Sequence, residues 1–331
     1  MTGMLLSKAF VAQFGECLHM AAKEAGAHVR AVHLPDDPRG SLSDDALAQI
    51  EVAYLTRDIR FSDHYVAFGE IVSAAPNLKW VHFTSTGIDQ HPWLKGLIER
   101  GIKLTSSAGT NGEPVGQTAI GAMLMLARRF PVWIEAQRRR AWEPMRGTEV
   151  PRDLKGQTVV IVGLGTIGAT VARFCQAIGM TVLGVRRSPQ QPGDPVDEMH
   201  RIADFAKLMP RADWVVLACP LTAETRHLLN AQTLAALPDG AHIVNVARGG
   251  CADERALIDA LKSGRLGGAY LDVFEKEPLP ADSPLWDIPN VICSPHNASA
   301  SSGNDGRAFE IFATNFARLI RDEPMVNERE A

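Results

Sequence analysis

The stretch Thr158-Val159-Val160-Ile161-Val162-Gly163-Leu164-Gly165-Thr166-Ile167-Gly168 decides the fold of this chain. A run of β-branched residues leads straight into G-x-G-x-x-G, and residues 169–178 carry a helical pattern. Strand, glycine turn and helix in that order open a βαβ unit of the kind that binds a dinucleotide. Gly163 permits the tight turn, Gly165 lets the backbone approach a pyrophosphate, and Gly168 lets the helix pack closely on the strand. The N–H groups at Thr166 and Ile167 begin the helix, where the dipole favours a negative ligand.

The pattern extends in both directions from this unit. Downstream, strands are expected at 181–185, 214–218, 242–246, 268–273 and 291–294. They are apolar on both faces, as in a parallel sheet covered by helices on each side. Upstream, strands are expected at 4–10, 28–34, 52–57, 80–84 and 103–106. Helices are expected at 11–25 and from Ser43, where Asp44 and Asp45 suit the positive helix end. A further helix at 115–129 joins the two series. The run Arg138-Arg139-Arg140 after it reads as a solvated helix face.

A last helix at 305–321 follows the end of the second series and can return to pack on the first. The expectation is therefore an α/β protein of two doubly wound parallel-sheet domains. A Rossmann coenzyme domain, 111–297, is inserted into a discontinuous substrate domain, 1–110 and 298–331. A chain of 331 residues suits two domains.

Composition excludes several classes. The net charge of -4 leaves no basic excess for a phosphate backbone, so no nucleic-acid partner is expected. No apolar run reaches the roughly 18 residues of a membrane span. The start reads as a first strand rather than a signal peptide. Cys17, Cys175, Cys219, Cys251 and Cys293 show neither metal nor disulfide spacing. They read as reduced thiols of a cytoplasmic protein that needs no metal.

The strand at 181–185 is followed by Arg186-Arg187-Ser188, at the start of a proline-rich surface loop. NAD-preferring enzymes place an acidic residue here for the ribose 2′-hydroxyl. Two guanidinium groups and a hydroxyl suit a 2′-phosphate instead, which points to NADP(H) over NAD(H).

Three polar segments stand at later strand ends, where an open α/β sheet binds its ligands. They are Val244-Asn245-Val246-Ala247-Arg248-Gly249-Gly250, then Leu271-Asp272-Val273-Phe274-Glu275-Lys276-Glu277-Pro278-Leu279-Pro280, then Cys293-Ser294-Pro295-His296-Asn297-Ala298. Acid–base chemistry near neutral pH calls for an imidazole, and a planar cation suits a carboxylate ligand. His296 and Arg248 are of those types.

In this order the motifs resemble those of the D-isomer-specific 2-hydroxyacid dehydrogenase family, most closely its NADPH-dependent glyoxylate/hydroxypyruvate reductases. The likeness covers nearly the whole second series and reaches the first through Thr84-Ser85-Thr86-Gly87-Ile88-Asp89. It implies a flavodoxin-like substrate domain and a hydride transfer between NAD(P)H and a small 2-keto or D-2-hydroxy acid. It assigns His296 as acid and base, Glu277 as its carboxylate partner, and Arg248 as the clamp on substrate carboxylate and carbonyl. Amides at Thr86 and Gly87 would hold the other side of that carboxylate. Cys219, Pro220 and Thr222 would pass the nicotinamide ribose, with Cys219 a packing residue, and Asp272 would bond the carboxamide. Val246, Ala247, Arg248 and His296 would also meet the coenzyme, and Ala247 and Asn297 would line the pocket.

The resemblance also implies a homodimer with 115–129 near its interface. Trp142 fits either a pocket reached from the neighbouring subunit or a packing role. Gln117 departs from the family's usual glutamate, and Asn297 from its usual apolar residue. Two other readings use the same fold: a nicotinamide-sensing binding protein or corepressor, and a dehydrogenase of formate or phosphite. Formate dehydrogenases of this superfamily carry glutamine where Glu277 stands.

Overall fold

Alternation within single strands sets the layers of each sheet, because successive side chains point to opposite faces. In β1 (Thr2–Leu6), Met4 and Leu6 pack with Phe312 and Phe316, whereas Leu5 packs with Phe68 and Ile71 on the other face. In β6 (Thr158–Val162), Val159 and Ile161 face one core and Val160 and Val162 the other. All four are fully buried or nearly so, and each contributes about 1.5–3 kcal/mol of transfer free energy.

The computed structural model describes residues 1–85, 87–88, 91–147 and 150–329. The chain divides into two compact units, Met1–Thr110 with Ser302–Ala331, and Asn111–Ser301. The second break falls a little beyond the expected 297.

The first unit has five parallel strands: β1, β2 (Val29–His33), β3 (Val52–Leu55), β4 (Trp80–Phe83) and β5 (Lys103–Ser106). Their order is β2-β1-β3-β4-β5, the flavodoxin-like winding. The C-terminal helix Asn304–Ile320 covers one face. Phe312 stacks on Tyr54 at 4.6 Å and on Trp80 at 5.1 Å between ring centroids. The strand expected at 4–10 is shorter than that reading. Ser7 takes extended geometry and its Oγ accepts from the Phe10 amide at 3.0 Å. This cap starts the helix Lys8–Glu24 at once.

The second unit has seven parallel strands: β6, β7 (Thr181–Val185), β8 (Glu198–His200), β9 (Trp214–Leu217), β10 (Ala241–Asn245), β11 (Leu266–Leu271) and β12 (Val291–Cys293). The order β12-β11-β10-β9-β6-β7-β8 reverses direction at β6, as in a Rossmann fold. The short, half-buried edge strand β8 lacks the apolar run that marks the others and escaped the sequence reading. The helix Phe130–Arg138 shows in the sequence only at its arginine end, as a solvated helix face, and not as an element of its own. Arg129, at φ 56°, turns the chain out of the preceding helix Gly112–Ala127, and Pro131 falls in the first turn of the new one. Arg139 pairs with Glu143 on the surface.

Candidate active site

Every motif singled out in the second unit follows the carboxyl end of a parallel strand. The glycine loop follows β6, Cys219 and Pro220 follow β9, Arg248 follows β10, Asp272 follows β11 and His296 follows β12. These ends lie along one edge of the sheet, the edge at which open α/β sheets bind ligands.

The glycine loop fits a dinucleotide for reasons visible at each position. Gly163 sits at φ 93°, and a Cβ there would lie 2.4 Å from the Ala218 carbonyl oxygen. A Cβ at Gly168 would lie 1.9 Å from the Gly163 carbonyl oxygen, so only glycine brings helix Thr166–Ala177 against the strand. Gly165 differs from both, since a Cβ there would meet no protein atom within 4 Å. It faces open space at the start of a helix whose N-cap offers no side chain to the first-turn amides. That is the geometry of a backbone anion site.

Arg248 is exposed, and its turn is fixed from below. Buried Asn245 uses both ends of its amide: Oδ1 accepts from Ala247 N at 3.1 Å, and Nδ2 donates to Arg248 O at 3.2 Å. Arg248 Nη1 also donates to the Ala247 carbonyl at 2.6 Å. Gly249 then presses on the next loop, where a Cβ would fall 1.9 Å from the Phe274 carbonyl carbon and oxygen. This contact ties the arginine turn to the loop that carries Glu277.

Glu277 holds two donors. Oε1 accepts from Phe274 N at 3.0 Å, and Oε2 lies 2.8 Å from His296 Nδ1. With Nδ1 so occupied, Nε2 is the ring nitrogen left to meet a ligand. His296 itself stands at φ 51°, a left-handed conformation uncommon outside glycine. Its amide donates to the carbonyls of Asp272 and Ser294 at 2.8 and 3.0 Å.

Asp272, 4% exposed, anchors this segment. Its Oδ1 accepts from Ser294 Oγ at 2.5 Å, Asn297 N at 2.8 Å and Ala298 N at 3.0 Å. Tyr270 OH adds a bond to Ser294 Oγ at 2.8 Å. Asn245 and Ser294 lay inside the quoted motifs, but their roles as supports had no signal beyond a polar residue at an apolar strand's end.

The remaining expected residues are placed as follows. Val246 and Ala247 are buried at the foot of the arginine turn. Cys219 is buried, and its hydrogen bond with the Cys251 thiol and its burial push its pKa well up, so it stays a packing thiol. Thr222 and Thr225 cap one another: Thr222 N donates to Thr225 Oγ1 at 2.7 Å, and Thr225 Oγ1 donates to the Pro220 carbonyl at 2.7 Å. Gln117 donates to Glu113 at 3.1 Å one turn away. Trp142 is 96% exposed. In the first unit, Ser85 Oγ donates to the Gly87 carbonyl at 2.9 Å. Thr86 lies outside the described residues.

The geometry separates the two adjacent arginines. Arg186 is engaged with Asp194, Nη1 to Oδ1 at 2.9 Å and Nη2 to Oδ2 at 2.5 Å. Nη2 also reaches the Pro189 carbonyl at 2.6 Å, and Nε the Ser188 carbonyl at 3.2 Å. The Arg186 guanidinium and the Gln191 amide hold the Asp194 carboxyl below its usual range. Arg187 makes an exposed pair with Glu224, Nη2 to Oε2 at 3.1 Å. Such exposed pairs contribute about 0–1 kcal/mol.

Residues 120–298 match the family model for the NAD-binding domain of D-isomer-specific 2-hydroxyacid dehydrogenases. The chain belongs to the D-isomer-specific 2-hydroxyacid dehydrogenase family. Its relatives in that family differ in length. It is 36% identical over 264 residues to the glyoxylate reductase of Korarchaeum cryptofilum, covering 77% of this chain and 76% of that one. It is 33% identical over 256 residues to the D-3-phosphoglycerate dehydrogenase of Methanocaldococcus jannaschii, covering 77% of this chain but only 48%, about half, of that longer relative. Among solved structures, a D-isomer-specific 2-hydroxyacid dehydrogenase from Xanthobacter autotrophicus, in complex with NADPH and MES, superposes with a TM-score of 0.73 at 30% identity. That match covers 99% of this chain and 98% of the other. As a member of this family the protein is an oxidoreductase with an NAD(P)-binding Rossmann domain. Its reaction class is hydride transfer between a nicotinamide coenzyme and a 2-hydroxy or 2-keto acid. Among the described residues no helix is long and apolar enough to cross a membrane.

Proposed function

We propose that this dehydrogenase works as an NADPH-dependent reductase of a small 2-keto acid of the glyoxylate or hydroxypyruvate type. The observation that carries the reading is the His296–Glu277 pair, at 2.8 Å, on the same sheet edge as the glycine loop and Arg248. The likeness to the glyoxylate reductase favours that substrate class.

The reduced nicotinamide, when bound, supplies the hydride. His296 gives its Nε2 proton to the substrate oxygen as negative charge grows there, and takes it back in the oxidation direction. Glu277 fixes the ring through Nδ1, so that Nε2 is the nitrogen turned to the substrate. Arg248 binds the substrate carboxylate and polarises the adjacent carbonyl. Amides at Thr86 and Gly87 are assigned to the other side of the carboxylate. On this reading 111–297 is the coenzyme domain, and 1–110 with 298–331 the substrate domain.

The active form is proposed to be a cytoplasmic homodimer, with the 115–129 region near its interface. Light scattering that gives a dimer mass supports it, and a stable monomer rejects it.

The test of the reaction is NADPH oxidation, followed by absorbance, with glyoxylate, hydroxypyruvate and pyruvate. Turnover of one or more of them, lost in His296→Ala, supports the reading. Tight coenzyme binding with no turnover on any 2-keto acid would overturn it in favour of a coenzyme sensor.

A further inference from the structure

The contrast between Arg186 and Arg187 goes beyond a simple pair of phosphate ligands. Arg186 spends four of its N–H directions on Asp194 and two backbone carbonyls, and its side chain is only 17% exposed. Turning it toward a ligand would break the loop 186–194 and strand the Asp194 carboxylate. Arg187 is 74% exposed, and among the described residues it pairs with one exposed carboxylate, Glu224. A dianionic phosphate is the stronger partner for it.

The location of the Arg187–Glu224 pair gives it meaning. Arg187 follows β7 and Glu224 follows β9, and these strands flank β6 on its two sides. Val162, the last residue of β6, is in register with both Val185 and Leu217. The pair therefore spans the sheet edge above the glycine loop, from the side where the adenosine ribose belongs to the loop after β9. The backbone of Glu224 lies inside the capped turn of Thr222 and Thr225, and its side chain is 54% exposed.

We propose that Arg187 alone reads the adenosine 2′-phosphate, that Glu224 latches Arg187 across the coenzyme site and competes with that phosphate, and that Arg186 with Asp194 only shapes the loop. This rests on the NADP(H) reading above. On binding, the 2′-phosphate takes Arg187 and the Glu224 carboxylate is released to water. Glu224 is thus a residue that sets how strictly the enzyme prefers the phosphorylated coenzyme.

The test uses the full chain and two probes, adenosine 2′,5′-bisphosphate and 5′-AMP, titrated by calorimetry. The ratio of their affinities is the readout, and kcat/KM for NADPH over NADH is the second. In Arg187→Gln the affinity ratio falls by about tenfold or more, the size expected for one lost charge-assisted pair. In Glu224→Gln it rises by about twofold to fivefold, as an exposed competitor is removed. A wild-type preference for the bisphosphate that survives Arg187→Gln, or that fails to rise in Glu224→Gln, overturns the latch and leaves the NADP(H) reading standing. A wild type with no preference between the probes overturns both.

Discussion

His296 Nδ1 and Glu277 Oε2 lie 2.8 Å apart, and the other oxygen of Glu277 is held by the Phe274 amide. The carboxylate is therefore fixed before any ligand arrives, and it fixes the ring. His296→Ala should lower kcat/KM by about 10²–10⁴-fold, the range for a lost general acid. Glu277→Gln can keep a bond to the ring but holds it less firmly, and should give a smaller loss that falls on kcat more than on KM. An unchanged kcat would show that Glu277 only packs. Arg248→Ala should raise KM for the keto acid and lower kcat together, and unchanged constants would reject the clamp.

Gly165 and Gly249 predict opposite outcomes for similar changes. A side chain at Gly165 meets no protein atom, so Gly165→Val should melt close to wild type yet bind NADPH at least tenfold more weakly, a loss of about 1.4 kcal/mol. A Cβ at Gly249 collides with the Phe274 backbone, so Gly249→Ala should destabilise the protein by about 1–3 kcal/mol. Thermal melts and coenzyme titrations of the two variants check both arms.

Asp272 gathers three donors from the segment that carries His296. Asp272→Ala removes their common acceptor and should cost roughly 1–3 kcal/mol for the buried donors left behind. Because the His296 backbone is held at φ 51° by this segment, activity should fall further than stability alone explains. A variant that melts lower but turns over normally would confine Asp272 to a stabilising role.

Acid should weaken the fold through buried neutral histidines. Burial lowers the pKa of His82 to about 3, and of His91 and His242 to about 4. His82 is bonded at both ring nitrogens by the hydroxyls of Thr105 and Ser107, at 2.6 and 3.0 Å. His242 stacks on Trp214 at 4.3 Å. In the unfolded chain each takes a proton near its ordinary pKa of 6.5, which the folded chain refuses. Stability is thus highest above pH 6.5 and falls as pH drops from there toward 4. The melting temperature measured across that window should decline, and His242→Gln should flatten the slope. A wild-type melting temperature that is level between pH 6.5 and 4 would refute the account.

The glycine loop was legible because each glycine answers a separate steric demand, visible as a spacing. Arg248 and His296 drew notice because each lies just beyond a short apolar strand, whereas Glu277, in the loop after β11, was singled out only through the family resemblance. The opening strand was misjudged because Ser7, a cap, sits among apolar residues on both sides. β8 was invisible because an edge strand of three half-buried residues carries no pattern. Arg186 and Arg187 looked equivalent in sequence, since only the folded loop brings Asp194 to one and Glu224 to the other.

The helix Asn304–Ile320 has a consequence for how this chain is made. Tyr54 and Trp80 leave the ribosome well before the aromatic ring that covers them, because Phe312 is synthesised only after the whole unit Asn111–Ser301. The seven-stranded unit is contiguous and can close its own core during synthesis. The first five strands must wait with one greasy face only partly covered, by Phe10, Leu18 and Ala22 of the helix Lys8–Glu24, so a stalled or clipped nascent chain should clump through what is left open while its nucleotide-binding half is already sound.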